Sequence, residues 1–480
     1  MTANKPDATS DHRWLILGIC CMSLLIVGLD STIVNVALPA IHRDLHASLS
    51  GLQWVVDAYT LPLASLLMLG GSTGDRIGRK RIFQTGLIVF AIGSAMCFAA
   101  PSLGVLIAAR AFQALGGAML NPVALSIVRN VFDDPRERAQ AVGVWGAMVG
   151  FSIGLGPVLG GAFVDTIGWR YVFLVNVPIG LLACLLTAIY VPESRADRPR
   201  RVDPIGQLLV ILGLATLTYA IIEGQSDGWT SATILTLFAV SLASFATLIP
   251  YELRRFEPLV EVRFFRSAPF SGAALIAFFA FASFAGFLLL NTLYLQEVRG
   301  YSALHAGLCT LPLAVCTVVL PPIAGRMVSS RGNRLPLLIA AVGMLVGPLL
   351  LTSLAPGTSI WLLFASYVLF GIGLGLVNAP ITNTAISGMP PAQAGVAAAV
   401  ASTCRQVGAT IGIAISGAVV GAGASALSGP KFAHATHSGW WLMVGFAAMI
   451  FIIGAATTTK WAFQTATATA ARLQPGGASS

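Results

Sequence analysis

The chain has 480 residues, of which 56% are hydrophobic and only 10% are charged, whereas an ordinary soluble domain carries roughly 25% charged residues. This composition excludes an array of soluble domains and predicts a protein embedded in lipid. The formal net charge of +9 would favour nucleic-acid binding in a soluble protein. In a membrane protein it indicates which loops face the cytoplasm, and we expect no nucleic-acid partner.

From residue 14 onward, apolar segments long enough to cross the ~30 Å hydrocarbon core alternate with polar breaks. A backbone in lipid must satisfy its hydrogen bonds within its own segment, and the alternating pattern of a membrane barrel is missing, so we expect helices. We predict an all-α polytopic membrane protein with about fourteen transmembrane helices. The predicted spans are 14–38, 51–71, 83–100, 103–128, 139–163, 171–191, 205–222, 231–250, 269–292, 303–328, 335–354, 359–386, 394–419 and 440–463.

The basic residues predict the orientation. With the N-terminus in the cytosol, the inner loops and tails hold 22 of the 28 Lys and Arg residues, and the outer loops hold only Arg43, Arg170, Arg299 and Lys431. Cytoplasmic loops of membrane proteins carry such an excess of positive charge. We therefore expect a multi-pass protein of the cytoplasmic membrane with both termini in the cytosol.

A short repeat divides the chain. The segment Thr60–Ala64, with sequence TLPLA, recurs at Thr310–Ala314, and each copy leads to a glycine-containing basic loop. Repeated halves with a site at their interface are typical of secondary transporters. We therefore predict two pseudo-symmetric six-helix halves, 14–200 and 267–463, and two inserted central helices with their linkers, 201–266. Residues 1–13 and 464–480 are predicted to be cytosolic tails.

Few charged residues lie inside the predicted spans, where each costs at least about 2.5–3.5 kcal/mol. Asp30, Asp57 and Arg110 lie in spans 1, 2 and 4, at a common depth of roughly 9–13 Å below the outer surface. A carboxylate beside an arginine can exchange its proton for that partner. We predict that these three residues carry proton coupling; a structural ion pair that only fixes helix packing is the alternative.

The loop between spans 2 and 3, Gly71–Arg81, places one acid among four basic residues. Its glycines allow a tight turn and close helix approach, and the charges can form an ionic latch that breaks when the two halves move. A simple basic anchor at the membrane surface is the alternative. The predicted inner gate consists of Gly71, Asp75, Arg76, Gly78, Arg79 and Lys80.

The energy source is predicted from patterns that the sequence lacks. The phosphate-binding pattern G-x-x-x-x-G-K-[S/T] does not occur, which argues against ATP. The seven cysteines lie in apolar segments without a C-x-x-C pair, and the histidines lie in the tail, loops or helix ends, so we expect no disulfide and no metal site. We expect no cofactor, and transport driven by the proton gradient.

Several motifs carry a resemblance to a known family. The segment Gly71–Arg81, GSTGDRIGRKR, resembles the signature G-x-L-A-D-R-x-G-R-K of the major facilitator superfamily, with Thr73 and Gly74 in place of Leu and Ala. Further segments resemble its fourteen-span drug:proton antiporter branch, over about residues 14–463. They are LDSTIVNVALP at 29–39, RAFQALG at 110–116, WR at 169–170, NVPIG at 176–180 and DPIG at 203–206. In span 5 the matching residues are Gly143, Gly156, Pro157 and Gly160. Ala114 in the second segment and Ser152 in span 5 depart from the family pattern.

The resemblance implies alternating access by rocking of the two halves, with Asp30 and Arg110 in proton coupling and Asp75 and Arg79 in the inner gate. It also implies that Gly143, Gly156, Pro157 and Gly160 bend span 5 and pack it at the interface of the halves. From physics alone, these glycines could equally be ordinary small-residue helix contacts.

Aromatic and polar residues inside the spans are candidates for lining a substrate cavity. Phenylalanines recur every three residues from Phe278 to Phe287, where they could pack flat lipophilic drugs or hold cations, or simply face lipid. Arg405 lacks an obvious acidic partner, and it could line the cavity or satisfy backbone carbonyls. The predicted cavity residues are Asn35, Trp54, Gln113, Phe284, Asn291, Asn378 and Arg405.

The function predicted from these features is a proton-coupled antiporter that exports small lipophilic compounds, including cations. Its expected partners are a small-molecule substrate, protons and the lipid bilayer, and we expect a monomer. The alternative is a transporter of the same fold dedicated to an endogenous lipid, a self-made antibiotic or a nutrient. A membrane enzyme or receptor is a third hypothesis, but no nucleophile set, metal cluster or soluble sensor domain in the sequence supports it.

Overall fold

A computed structural model describes residues 12–132, 134–196, 202–387, 389, 393–422 and 429–473, and this part of the chain is helical without any strand. We number the helices α1 to α15 along the chain. Their bounds are α1 Arg13–Leu45, α2 Leu49–Ile77, α3 Arg79–Ala99, α4 Leu103–Val131, α5 Pro135–Thr166, α6 Tyr171–Tyr190, α7 Pro204–Asp227, α8 Ala232–Arg254, α9 Ala268–Val298, α10 Leu311–Arg331, α11 Arg334–Leu349, α12 Ile360–Ile386, α13 Ala394–Gly421, α14 Gly429–Thr457 and α15 Lys460–Leu473.

The prediction of an all-helical polytopic membrane protein is confirmed. Thirteen of the described helices are long and apolar enough to cross a membrane. The predicted span 335–354 corresponds to α11, which has only 16 residues, so the count of fourteen stays a prediction.

Three predicted bounds differ clearly from the structure. Residues 303–328 contain two helices, because a separate short helix, Ala303–Cys309, precedes α10. The last predicted span begins at residue 440, whereas α14 begins at Gly429, since polar residues such as His434 interrupt the apolar segment without ending the helix. The predicted tail from residue 464 overlaps α15, a separate helix over Lys460–Leu473.

Local sequence explains where the helices start. Ser48, Asp134, Asp203 and Ser231 precede α2, α5, α7 and α8, and each side chain accepts a hydrogen bond from a backbone N–H of the first turn. Such caps satisfy donors that have no partner within the helix. The turn between α2 and α3 requires Gly78, whose φ of +135° is costly for any residue with a Cβ.

The helices pack in two groups. In the first, α1 packs on α5 and α6, and α4 packs on α2 and α3; in the second, α9 packs on α13 and α14, and α12 packs on α10 and α11. The groups meet where α2 contacts α13 and where α5 contacts α10 and the short helix before it. Helix α7, one of the two helices predicted to be inserted, contacts both α2 and α13, and α8 packs on α7.

The two ends of the bundle differ in charge. The end at which α2 stops and α3 begins carries Arg76, Arg79, Lys80 and Arg81, and α4 ends there with Arg129. We call it the basic end, and we call the opposite end, where α1 stops and α2 begins, the far end. Positions in the site are described below by their distance from these two ends.

Candidate functional site

A buried ion pair joins α1 to α4. The side chains of Asp30 and Arg110 are at most 1% exposed, and Nη1 of Arg110 donates to Oδ2 of Asp30. Removing two charges from water costs roughly several kcal/mol per ion, and further hydrogen bonds to both groups are needed to offset this cost. The partners of each charge therefore decide whether the pair is stable.

Gln113 of α4 and two further helices, α2 and α6, supply those partners. Oδ1 of Asp30 accepts hydrogen bonds from Nε2 of Gln113 at 2.9 Å and from Nδ2 of Asn176 at 3.0 Å. Arg110 donates through Nη1 to Oε1 of Gln113 at 2.7 Å and through Nε to the carbonyl of Val55 at 3.1 Å. Gln113 also donates to Oγ of Ser94 at 2.8 Å. We call Asp30, Ser94, Arg110, Gln113 and Asn176 the charge network.

Aromatic rings close the remaining side of the arginine. The guanidinium carbon of Arg110 lies 4.3 Å from the ring centroid of Tyr59 and 5.5 Å from that of Phe173. Ring faces attract cations most strongly where water is excluded. The rings therefore stabilise the charge of Arg110 and keep water from the pair.

Asp57 lies outside this network. Its side chain is fully buried, and Oδ1 accepts a hydrogen bond from Thr60 at 2.9 Å. Oδ2 has no hydrogen-bond partner in the described part of the chain. The structure thus brings together two of the three residues predicted for proton coupling, while the guanidinium of Arg110 contacts α2 through a backbone carbonyl rather than through Asp57.

A cavity of about 820 Å³ lies between the two helix groups, within the size range of roughly 300–1,000 Å³ typical of small-molecule sites. Four predicted residues line it: Asn35, Phe284, Asn378 and Arg405. Nη2 of Arg405 donates to Ser402 at 2.7 Å, and its guanidinium lies 6.0 Å from the ring centroid of Phe281. Oδ1 of Asn35 is buried and has no partner among the described residues.

Three predicted cavity residues do not line it. Gln113 belongs to the charge network. Nε1 of Trp54 donates to Oε1 of Glu223 in α7 at 2.7 Å, so that Trp54 faces the inserted helix. Oδ1 of Asn291 accepts from the hydroxyl of Tyr367 at 2.5 Å, which fixes α9 to α12. In each case a polar group has found a partner within the protein, which composition and depth do not reveal.

The cavity wall contains residues that the sequence analysis missed. Trp145 of α5 and Asn121 of α4 line it, and neither Nε1 of Trp145 nor Oδ1 of Asn121 has a hydrogen-bond partner in the described residues. A tryptophan among the glycines of α5 was the available signal, because small residues mark a helix at an interface. No group of three His, Cys, Asp or Glu residues suited to a metal ion occurs within the described ranges.

The predicted gate motif forms a compact cluster at the basic end. Nε of Arg79 donates to Oδ1 of Asp75 at 2.9 Å, and the backbone N–H of Arg79 donates to the carbonyl of Ser194. Nζ of Lys80 donates to the carbonyl of Ala188 at 2.8 Å. Ala188 belongs to α6 and Ser194 to the residues after it, whereas Asp75 lies on α2 itself. Arg76 is exposed, and Gly71 and Asp75 line the cavity.

The glycines of α5 have different surroundings. A Cβ on Gly156 would collide with the side chain of Thr32, and one on Gly160 would lie 2.9 Å from the carbonyl oxygen of Ile33, so both allow α1 to approach closely. Pro157 faces Gly307 of the short helix before α10. Gly143 has open space around it. Gly156 and Gly160 therefore pack α5 on α1 within the first helix group, whereas Pro157 lies against the second group and Gly143 makes neither contact. A shared role of all four residues at the interface of the halves stays a prediction.

The cavity reaches the basic end only. Asp75, Arg129 and Asp203 lie along its wall there, whereas its deepest residues, including Asn35 and Val56, stop short of the far end. The far end is closed by bonds between the two helix groups: Gln296 donates to the carbonyl of Val36, and Asp165 accepts from the backbone N–H groups of Ala303 and Leu304. The main cavity is thus accessible from the basic end.

Comparison with known proteins agrees with this arrangement. A family model described as Major Facilitator Superfamily matches residues 20–413. The chain belongs to the Major Facilitator Superfamily. Transporters of known structure share its fold: the chain resembles a POT family transporter in complex with 5-aminolevulinic acid, with a TM-score of 0.66, 16% identity and coverage of 92% of this chain and 96% of that one. It also resembles the xylose transporter XylE from E. coli in a partially occluded inward open conformation, with a TM-score of 0.62, 14% identity and coverage of 94% and 100%.

Relatives within the superfamily are closer in sequence. The chain is 37% identical to the multidrug resistance protein Stp of Mycobacterium tuberculosis, over 86% of this chain and 77% of that protein. It is 34% identical to the multidrug efflux pump LfrA of Mycolicibacterium smegmatis, over 86% and 81%. It is also 34% identical to the methylenomycin A resistance protein of Bacillus subtilis, over 89% and 92%.

Proposed function

We propose that this membrane transporter is a proton-coupled antiporter that exports small lipophilic drugs or toxins, including cations, by alternating access. The observation that carries the proposal is a fully buried Asp30–Arg110 pair beside a large cavity that reaches only one end of the bundle. The drug efflux and resistance functions named for its relatives support the same conclusion.

The orientation follows from charge. We place the basic end in the cytosol, with both termini on that side of the cytoplasmic membrane, because basic residues concentrate in cytoplasmic loops. The cavity then faces inward, where it can collect drugs from the cytosol or the inner leaflet. Helices α1–α6 and α9–α14 form the two halves that rock, with α7 and α8 inserted between them, and the transporter acts as a monomer.

The proton is carried by Asp30. In the ionised state its carboxylate holds the arginine, one amide from α4 and one from α6. Protonation removes the charge that binds these groups, while Arg110 keeps Oε1 of Gln113, the carbonyl of Val55 and the ring of Tyr59. The two states of Asp30 thus favour different arrangements of α1, α4 and α6, which links a proton to the movement of the halves.

The substrate binds in the cavity through apolar and ring surfaces. Phe281, Phe284 and Trp145 offer apolar and aromatic surface, and Asn35 and Asn378 offer adaptable hydrogen-bond partners. The guanidinium of Arg405 lies near the ring of Phe281. The rings of Phe284 and Trp145 remain for contact with organic cations. Such a wall favours shape and lipophilicity over one chemical group.

Proton release upon drug addition to the purified protein in detergent tests this function. The wild type releases protons when a lipophilic cation binds, and Asp30→Asn releases none. Asp134→Asn is the matched control, because Asp134 is exposed and asparagine also caps a helix. Unchanged release from Asp30→Asn would exclude Asp30 as the proton carrier.

A second candidate function is export of a single antibiotic. Relatives named for methylenomycin A resistance and for tetracenomycin C resistance and export favour it. An efflux panel of dyes, antibiotics and lipophilic cations, measured with and without a proton uncoupler, separates the two candidates. Export of several unrelated compounds supports the multidrug function, and export of one compound supports the dedicated one.

A further inference from the structure

One face of α2 is directed at α13 of the other helix group. Gln53, Asp57 and Thr60 are spaced by four and three residues, so their side chains lie along the same side of the helix. All three are buried. The helix that they face contributes Thr410, Ile413 and Ala414.

Two side chains of α2, Gln53 and Thr60, form hydrogen bonds across this interface. Nε2 of Gln53 donates to the carbonyl oxygens of Ile413 at 3.0 Å and Ala414 at 2.9 Å. Gly417 makes room for this amide, because the side chain of Gln53 occupies the space that a Cβ at position 417 would need. One to two turns further along α2, Oγ1 of Thr410 donates to Oγ1 of Thr60 at 3.0 Å.

Asp57 lies between these two contacts and is joined to one of them. The hydroxyl of Thr410 donates to Thr60, and the hydroxyl of Thr60 donates to Oδ1 of Asp57. The carboxyl group of Asp57 is therefore the end of a hydrogen-bond chain that begins in the other half of the protein. Its second oxygen has no partner among the described residues.

The charged groups on the surrounding helices do not compensate Asp57. Asp30 of α1 and Arg110 of α4 are paired with each other. Glu223 of α7 accepts from Trp54, and Arg405 of α13 donates to Ser402. An ionised carboxylate buried in this interface would have one hydroxyl as its only described partner, which carries a large free-energy penalty. A neutral carboxyl group fits the closed interface.

Thr60 also gives Asp57 a route to water. It lines the main cavity and at the same time donates to Asp57. A proton can thus pass between the buried carboxyl group and the inward-facing cavity along one hydroxyl, without opening of the far end.

We propose that Asp57 is a proton-controlled closing element of the far-end gate, with Gln53, Thr60 and Thr410 as the residues that position it against α13. The neutral carboxyl group allows α2 and α13 to seal. Loss of its proton places a charge in the seal, and the interface parts so that water can reach that charge.

This inference rests on the proposed antiport function and assigns a gating step within it. A proton taken up from outside neutralises Asp57 and permits closure of the far end. Release of the proton through Thr60 to the inward cavity then favours reopening of the far end once drug is bound. Asp30 and Asp57 have separate roles, since one changes the packing within the first half and the other changes the contact between the halves.

Hydrogen–deuterium exchange of the purified protein without drug tests the gate apart from transport. After correction for the intrinsic rate, exchange in peptides covering 49–60 and 410–421 should rise as the pH is raised from about 5 to about 8. In Asp57→Asn it should stay low at every pH. Thr410→Val should exchange about twofold to tenfold faster even at low pH, because one hydrogen bond across the seal is lost.

Two matched variants complete the test. Thr410→Ser keeps the hydroxyl and should resemble the wild type, and Thr436→Val removes a buried hydroxyl that bonds only within α14 and should leave these peptides unchanged. A rise with pH in Asp57→Asn equal to that of the wild type, or equal exchange in Thr410→Val and Thr436→Val, would overturn the proposal. If the wild type shows the expected rise of exchange with pH but no proton-driven efflux, the antiport function alone is overturned.

Discussion

Asn176 donates a hydrogen bond of 3.0 Å to the same carboxylate oxygen of Asp30 that accepts from Gln113. This bond brings α6 into the charge network, so that α1, α4 and α6 all depend on the charge of one group. Asn176 is fully buried and its side chain caps no helix, so we expect it to act as a positioning residue in the proposed proton coupling.

Asn176→Ala removes one donor from the ionised carboxylate. Because a hydrogen bond to a charged group contributes about 1.5–3 kcal/mol, the ionised carboxylate is less stable in this variant, and we expect less proton release upon drug addition at about pH 7 than in the wild type. Proton release in detergent at this one pH measures the loss. Thr187→Val is a suitable control, because it is a buried change on α6 away from the network; Asn176→Asp is not, because it adds a charge. Proton release equal to that of the wild type would remove Asn176 from the proposed coupling machinery.

Arg110→Ala should destabilise the protein more than Arg110→Lys does. The alanine variant leaves Asp30 as an unpaired buried charge, a change that costs about 3–5 kcal/mol, whereas lysine keeps a charge but cannot reach Asp30, Gln113 and the carbonyl of Val55 together. Thermal unfolding in detergent measures both. Adding Asp30→Asn to Arg110→Ala should recover stability and leave proton-driven efflux absent. If the double variant unfolds as early as Arg110→Ala, the charge on Asp30 is not the cause.

Trp145→Ala should weaken drug binding, and Trp54→Phe should not. Trp145 lines the cavity with its ring nitrogen unpaired in the described structure, whereas Trp54 donates to Glu223 away from the cavity wall. Loss of one large ring from a binding site removes about 1–2 kcal/mol of aromatic and cation contact, so Kd should rise about tenfold. Binding of a fluorescent lipophilic cation measures it. Weaker binding by Trp54→Phe than by Trp145→Ala would contradict the assignment of the wall.

Gly156→Ala and Gly143→Ala should change stability in opposite directions. A methyl group at 156 collides with Thr32 of α1, whereas position 143 has open space. We expect Gly156→Ala to lose about 1–3 kcal/mol by overpacking and Gly143→Ala to gain about 0.5–1 kcal/mol from helix propensity. Melting temperatures of the two variants in one detergent provide the comparison. Equal destabilisation would show that α1 does not pack closely on α5 at Gly156.

Depth along a helix could be predicted from the sequence, and rotation about the helix axis could not. Asp30 and Arg110 were expected at one level, and the structure pairs them. Asp57 lies near that level too, since Arg110 bonds to the backbone two residues away from it. It nevertheless faces α13, because the rotation of α2 is set by its packing between α4, α7 and α13. A helix that is apolar on most sides carries little information about which side meets which neighbour.

The same limit explains the errors among the cavity residues. Trp54 and Asn291 have the chemistry of cavity residues, but each has a polar partner on another helix, Glu223 and Tyr367. Those pairings depend on contacts between distant parts of the chain. Asn176, part of the NVPIG segment, was recognisable only as part of a resemblance, because a single asparagine in an apolar segment has no local signal for its partner.

The shortness of α11 has a consequence for the surrounding lipid. Its 16 residues rise only about 24 Å, against a hydrocarbon thickness of ~30 Å, and Leu335, Ile339 and Val342 are exposed along it. If α11 crosses the membrane as predicted, the acyl chains beside it must compress, at a fraction of a kcal/mol per ångström of mismatch. Transport in vesicles should consequently depend on acyl-chain length, with faster turnover in thinner bilayers.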